Sequence, residues 1–253
     1  MTISLPYIQL FLLALTRVLA IFAAIPIFGG PTIPLQIRGI FGIVITLTIF
    51  PWQATPVSYE AIALFPFALM IAQELIIGFI AGFAATLTFA AIQIAGEMIG
   101  FGTGFNSGRV LNPAFGESSS TLDQFFIMLS MLFMLVTNGH HLIVYAISKT
   151  FSVIPLNSSL TGIPVQNVLT MASKLISAGF QISLPAVGSL IMADITLGLL
   201  AKVAPQVQVF FLGVPLKIAL GLLAVTITLS LYNQVIIDLL NNLGDRMISL
   251  LCA

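Results

Sequence analysis

Among the charged side chains inside long apolar runs of the sequence are Arg17, Glu74, Glu97, Lys174 and Asp194. A lone charge at the centre of a bilayer costs about 2.5–3.5 kcal/mol. Such groups therefore face protein or water, and they often carry ions, protons or substrate. If the helices that carry them are broken, these charges could couple ion binding to substrate binding, as in a small-solute transporter. They suit structural pairing equally well, and for Arg17 a structural partner is the favoured interpretation.

Two adjacent histidines, His140 and His141, are further candidates for proton or metal chemistry. Neighbouring side chains on a helix point about 100° apart, and no cysteine or carboxylate flanks this pair at ligand spacing. The pair is interpreted as a polar span end or a kink, and no metal or cofactor is expected. The sequence has no His-Glu-x-x-His, Gly-x-Ser-x-Gly or P-loop motif, so an enzyme is the least favoured class.

Membrane-spanning helices are the elements that must position these groups. Of the 253 residues, 59% are hydrophobic and 6% are charged, whereas about a quarter of a soluble domain is charged. The formal net charge is zero, so no basic face invites nucleic acid. The composition predicts an all-α polytopic membrane protein.

The sequence has six apolar segments, and the first is about long enough to cross a bilayer at roughly 20 residues per span. The six segments are Leu5–Phe28, a run from beyond Arg38 to Phe50, about Ala61–Asn106, Leu122–Ser148, about Val165–Leu200 and about Val207–Ile237. If all six cross, both termini lie on one side. The loops after segments one, three and five hold Arg38, Arg109 and Lys202, against Lys149 and Arg246 opposite, which places the termini outside the cytoplasm.

The third segment is too long for the membrane, because a helix of that length would reach nearly 70 Å at ~1.5 Å per residue. Part of it must lie outside lipid or turn back. Its end is glycine-rich, with Gly96, Gly100, Gly104 and Gly108 at every fourth position. On a helix these glycines would form one bare ridge for close backbone packing. Asn112-Pro113 indicates that the helix breaks, and a capping box of Ser120 with Asp123 predicts its restart. The interval is either a solvent loop or a loop that lines or closes a passage.

Two later stretches are amphipathic. A polar stripe on the fifth segment faces either a water-filled lumen or neighbouring helices; it comprises Gln166, Thr170, Ser173, Ser177 and Gln181. Pro185 is expected to kink that segment. Near the C-terminus, Asp238 and Asp245 lie opposite Leu239 and Met247. This C-terminal stretch could lie at an interface or pack on a partner helix. Alternatively, it is the end of a membrane span that continues into solvent.

The stretch from Gly198 to Lys217 resembles the signature of the FliR family of flagellar and virulence type III export-gate proteins. That pattern reads roughly basic-x-x-Pro-Gln-x-Asn-x-Phe-x-x-Gly-x-Pro-x-Lys. Lys202 stands at the basic position, often Arg, and Gln208 replaces the usual Asn. Asn112-Pro113 stands where many relatives have Asp-Pro. Further matching blocks cover essentially the whole chain: Arg17, Pro26 and Pro34; Glu74 and Gly78; Gly96 and Gly100; and Asn138-Gly139-His140 with Phe151 and Pro155. The Asn-Gly-His block favours the flagellar branch over the virulence branch.

This resemblance implies a non-enzymatic subunit of the bacterial inner membrane at the flagellar basal body. It would be present once in a helical ring with several copies of FliP and FliQ, with FlhB around the cytoplasmic mouth and FlhA beneath. The ring would admit unfolded export substrates, and much of it would stand above the bilayer plane. Residues 1–160 would be FliP-like, and residues 161–253 would be a FliQ-like helical hairpin.

The resemblance also implies roles for particular residues. The family's plug loop corresponds to the glycine-rich interval, where Phe105, Asn106, Arg109, Val110 and Phe115 would close the lumen. A turn formed by Lys202, Pro205 and Gln206 would face the cytoplasm and FlhB. A small-solute transporter remains the competing class, although the two halves of the chain show no clear inverted repeat.

Overall fold

The computed structural model describes residues 5–30, 33–50, 62–105, 121–156, 165–206 and 208–251. These residues form nine helices and no strand. The helices are α1 (Leu5–Ala24), α2 (Pro26–Gly29), α3 (Leu35–Ile49), α4 (Leu64–Thr103), α5 (Thr121–Val136), α6 (Gly139–Val153), α7 (Val165–Val203), α8 (Val209–Asn241) and α9 (Leu243–Ser249). All six apolar segments are helical, so the predicted all-α membrane class is confirmed.

Helix length separates the elements that can cross a bilayer from those that cannot. Within the described ranges, four helices are long and apolar enough, or five if α5 and α6 together form one broken span. The second apolar segment is helical up to Ile49, close to its predicted end at Phe50. Its helix, α3, has 15 residues and reaches about 22 Å, against roughly 30 Å of hydrocarbon.

Two helix ends lie at residues with left-handed backbone. Asn138 has φ 57° between α5 and α6, so the kink predicted at Asn138-Gly139-His140 is confirmed. Gly104 has φ 83° directly after α4, and glycine tolerates this conformation because it has no Cβ. By contrast, α7 continues past Pro185 to Val203.

The chain divides into two compact units, and the first comprises residues 1–87, 138–171 and 241–253. In this unit α1 packs closely on α4. The close approach is possible because Gly78 has no Cβ: a Cβ there would come within 2.6 Å of the Arg17 carbonyl oxygen. The Gln9 side-chain amide donates to the Ile62 carbonyl at 2.9 Å and accepts from the Ile62 N–H at 3.0 Å. These contacts fix the start of α4 against α1.

The C-terminal helix α9 belongs to this first unit and packs on α6. Leu243 and Met247 are buried, and a Cβ at Gly244 would lie 3.2 Å from the Leu142 carbonyl oxygen. Burial lowers the pKa of the Arg246 guanidinium below its ordinary value. The amphipathic C-terminal end therefore finds its partner helix within the same chain.

The second unit comprises residues 88–137 and 172–240. Its helices also approach each other at glycines. A Cβ at Gly96 would come within 2.9 Å of the Asp123 Cα on α5, and one at Gly179 would overlap the Ala91 carbonyl oxygen on α4. Two contacts pair α7 with α8 as an antiparallel hairpin: Asp194 with Lys217, and Leu197 with Gly213.

Candidate functional site

The candidate site is a fully buried arginine on the first apolar helix. Arg17 lies on the α1 face that packs against the rest of the first unit, and it is 0% exposed. A guanidinium carries five N–H donors and no acceptor. Burying it therefore requires acceptors on several sides.

The carboxylate of Glu74 on α4 supplies two of these acceptors. Arg17 Nε donates to Glu74 Oε2 at 2.5 Å, and Arg17 Nη2 donates to Glu74 Oε1 at 3.0 Å. Glu74 is 3% exposed. Two parallel bonds of this kind fix the relative orientation of both planar groups, so the pair sets the register between α1 and α4.

The C-terminal end of α6 supplies the remaining acceptors. Arg17 Nη1 donates to the carbonyl oxygens of Thr150, at 3.0 Å, and Ile154, at 2.7 Å. The Phe151 ring lies 4.6 Å from the guanidinium carbon. The carbonyls at the end of a helix carry partial negative charge, and the Thr150 carbonyl also accepts the Ile154 N–H. Arg17 thus caps α6 from a distant element.

Together these contacts join α1, α4 and α6 at one charge. Both carboxylate oxygens of Glu74 are occupied, and four of the five guanidinium hydrogens are used. The arrangement can hold three helices in place, and it leaves little capacity to bind a further ion.

The other charges in apolar segments have varied surroundings. Asp194 on α7 pairs with Lys217 on α8, and their side chains are 49% and 27% exposed. Glu97 is half-buried on α4, while Lys174 is exposed on α7. Of the five charges named from the sequence, Arg17 and Glu74 therefore pair with each other in the first unit, and Asp194 pairs with Lys217 in the second.

The structure describes three of the four glycines of the predicted ridge. Gly96 and Gly100 are buried on α4. Gly104 is exposed and lies beyond the helix, which ends at Thr103. Its left-handed backbone ends the helix, as glycine commonly does, so the ridge does not extend helically to Gly104. Gly108 lies outside the described residues.

Most of the predicted plug also lies outside the described residues: Asn106, Arg109, Val110 and Phe115. Phe105 is described, and its side chain is 38% exposed just after α4. Within the predicted cytoplasmic turn, Lys202 lies in the last turn of α7. Lys202, Pro205 and Gln206 are all exposed.

The histidine pair begins α6. The rings of His140 and His141 are 4.3 Å apart between centroids, and His140 Nδ1 is buried without a hydrogen-bond partner. In the described ranges no group of three or more His, Cys, Asp or Glu side chains could hold a metal.

Three pairings went unnoticed in the sequence: Arg17 with Glu74, Asp194 with Lys217, and Arg17 with two carbonyls of α6. Asp194 precedes Pro205 by 11 residues and Lys217 follows Gln206 by 11, so equal spacing from the turn could have identified this ion pair. The Arg17 contacts with the carbonyls of Thr150 and Ile154 had no such signal, because every residue carries a carbonyl.

These features define a class: a polytopic helical membrane protein whose helices meet at glycines and around a buried ion pair. The model of the family described as "Bacterial export proteins, family 1" matches residues 8–243. The chain belongs to this family of bacterial export proteins.

Individual relatives agree with the family match. The flagellar biosynthetic protein FliR of Bacillus subtilis is 31% identical over 245 residues, which is 95% of this chain and 94% of the relative. FliR of Escherichia coli is 31% identical over 220 residues, or 86% and 83% of the two chains. The surface presentation of antigens protein SpaR of Shigella sonnei is 27% identical over 155 residues, or 61% and 60%.

Proposed function

We propose that this chain is a subunit of the flagellar type III export gate, and that it helps form the channel through which unfolded flagellar proteins cross the inner membrane. The observation that carries the proposal is the match to Bacillus subtilis FliR along 94% of that relative. No large part of the relative lacks a counterpart here.

The partners in this proposal are FliP and FliQ in a ring that holds this chain once, with FlhB at the cytoplasmic mouth and FlhA beneath. Exposed apolar surface supports an assembly of this kind. On α3 alone, Leu35 is 78% exposed, Ile40 61% and Val44 53%. Large apolar patches mark contacts with protein or membrane, and α3, with 15 residues, is too short to cross the hydrocarbon layer by itself.

The internal organisation is part of the same proposal. Residues 1–160 are FliP-like and residues 161–253 are FliQ-like, which the antiparallel pairing of α7 with α8 supports. Residues 105–116 form the plug. The helix termination at Gly104, directly before this interval, supports a loop there.

The virulence counterpart is the second candidate, and the 27% identity to SpaR favours it to a lesser extent because that match covers 61% of the chain. A small-solute transporter needs charges that change partners during transport. Arg17 and Glu74 are instead bonded to each other and to backbone carbonyls, which disfavours that class.

Complementation tests the proposal. A flagellated strain that lacks its own copy of this gene should recover swimming, and should secrete flagellar proteins into the medium, when the intact chain is supplied. A chain truncated after Val136 is the matched negative control. Failure of the intact chain at normal membrane abundance, in the organism it comes from, would refute the export function. Recovery of virulence secretion alone would favour the second candidate.

A further inference from the structure

Three helices of the second unit pack on the last part of α4. Helix α7 approaches α4 at two positions, and α5 and α8 approach it at one position each: Ala91, Gly102, Gly96 and Thr103, in that order. Successive residues of a helix point about 100° apart, so Glu97 points about 100° or more away from each of these positions. Glu97 therefore lies on a different side of α4 from these contacts.

Three side chains lie along this side of α4, about one turn apart: Gln93, Glu97 and Phe101. Gln93 and Glu97 are half-buried, and Phe101 is 51% exposed. Residues four apart on a helix lie on one face. The three therefore form one row, the Glu97 stripe, which combines an amide, a carboxylate and an aromatic ring.

The carboxylate of Glu97 has no counter-charge in the described part of the chain. It takes part in no hydrogen bond or ion pair among those residues. The other charge on α4, Glu74, pairs with Arg17, and Asp194 on α7 pairs with Lys217. Glu97 thus differs from the two carboxylates whose cations the same chain supplies.

The lysines of α7 lie at other levels along α4. Gly179 lies beside Ala91, and Leu190 lies beside Gly102, so the two helices run parallel with a constant offset of 88 residues between neighbours. Lys174 is therefore level with position 86, about 16 Å along the axis from Glu97. Lys202 is level with position 114, about 25 Å from Glu97 in the other direction. The cation that pairs with Glu97 must come from another source.

Neither lipid nor water suits the whole Glu97 stripe. A carboxylate exposed to hydrocarbon is costly, which disfavours lipid. Phe101 exposes half of its surface one turn away, which disfavours water. A protein surface with apolar groups and one cation suits both residues. Arginine is enriched in protein interfaces, and its guanidinium binds a carboxylate and also stacks on an aromatic ring.

We propose that the Glu97 stripe docks on a helix of a second protein, and that this helix places an arginine or lysine side chain opposite Glu97 and apolar side chains opposite Phe101. The cation of the second protein pairs with Glu97 as Arg17 pairs with Glu74 within the chain. The inference rests on the proposed function, because it needs a neighbouring subunit, and it specifies the chemistry of that subunit's contact.

Photo-crosslinking in the assembled complex tests whether protein covers the stripe. Benzoylphenylalanine replaces Gln93 in one variant and Phe101 in another. Each chain is co-expressed with the FliP, FliQ and FlhB proteins of the same organism, and crosslinked peptides are identified by mass spectrometry. Both positions should react with one helix of another protein, and that helix should contain arginine or lysine. Crosslinks confined to lipid or to this chain, or to a helix without a basic residue, would overturn the proposal.

Charge reversal tests the ion pair itself. At equal membrane abundance, Glu97→Lys should lower the amount of the crosslinked protein that co-purifies several-fold, and changing its basic residue to glutamate should restore that amount. Lys149→Glu, at an exposed position of α6, is the matched reversal and should leave co-purification unchanged. An undiminished yield with Glu97→Lys, or no recovery in the double variant, overturns the ion pair.

The intact chain separates this inference from the function on which it rests. If the intact chain binds none of the co-expressed proteins, the proposed function and this inference both fail. If it forms the complex while the crosslinks or the charge reversals give the contrary result, the proposed function stands and only the role of the Glu97 stripe is wrong.

Discussion

Replacing Arg17 by glutamine removes the one charge that joins α1, α4 and α6. The substitution leaves the Glu74 carboxyl group buried without its cation. Breaking a buried ion pair from one side costs about 3–5 kcal/mol. The Ile154 carbonyl loses its donor, whereas Thr150 keeps the bond from the Ile154 N–H at 2.9 Å. One unpaired buried carbonyl adds about 1–3 kcal/mol, so the total loss is about 4 kcal/mol or more.

Glu74→Gln and an exchange of the two charges separate the contributions. In Glu74→Gln, the buried guanidinium loses its counter-charge, which again costs about 3–5 kcal/mol, but it keeps both backbone carbonyls and the Phe151 ring, so no carbonyl is left unpaired. Exchanging the charges, with Arg17→Glu and Glu74→Arg together, restores opposite signs. It should not restore stability, because a carboxylate would then face two carbonyl oxygens at the end of α6.

Reversible unfolding in mixed detergent micelles measures these differences. The exposed residue Lys149 on α6 provides the control, and Lys149→Gln should stay within about 0.5 kcal/mol of the unsubstituted chain. An Arg17→Gln loss below about 1 kcal/mol, or full recovery in the charge exchange, would refute the assigned role of Arg17.

Three further outcomes follow from the described contacts. Gly179→Ala should destabilise the chain, because the new Cβ would overlap the Ala91 carbonyl oxygen. At Gly188 a new Cβ meets nothing within 4 Å, so Gly188→Ala should stabilise α7 by about 0.5–1 kcal/mol. Equal unfolding midpoints for the two variants would contradict both expectations. Met247→Asp should detach α9 and expose the C-terminus to protease, since Met247 is 0% exposed; an unchanged digestion pattern would argue against that contact. Deleting residues 106–116 should raise the ion leak of the assembled gate, measured as conductance, and unchanged conductance in assembled complexes would count against a plug.

Composition and local pattern were sufficient to predict the helical class. Six apolar runs became helices, and the left-handed residue at Asn138 produced the predicted kink. These features depend only on residues that are close together in the sequence, so they can be predicted from it.

The partners of Arg17 could not be read from local pattern. Arg17 and Glu74 are 57 residues apart, and the Thr150 carbonyl is 133 residues from Arg17. Their meeting depends on how α1, α4 and α6 pack. The prediction that the glycine ridge continues to Gly104 was wrong for another reason. A glycine permits close contact between helices, but it also permits the left-handed backbone that ends a helix.

The most direct test of the central claim is the composition of the complex that the chain forms. We would co-express it with the FliP, FliQ and FlhB proteins of the same organism, purify through a tag on this chain, and determine subunit numbers by native mass spectrometry. The proposed function predicts a discrete complex that holds one copy of this chain with several copies of FliP and FliQ. A stable, monodisperse chain that binds neither FliP nor FliQ would contradict it.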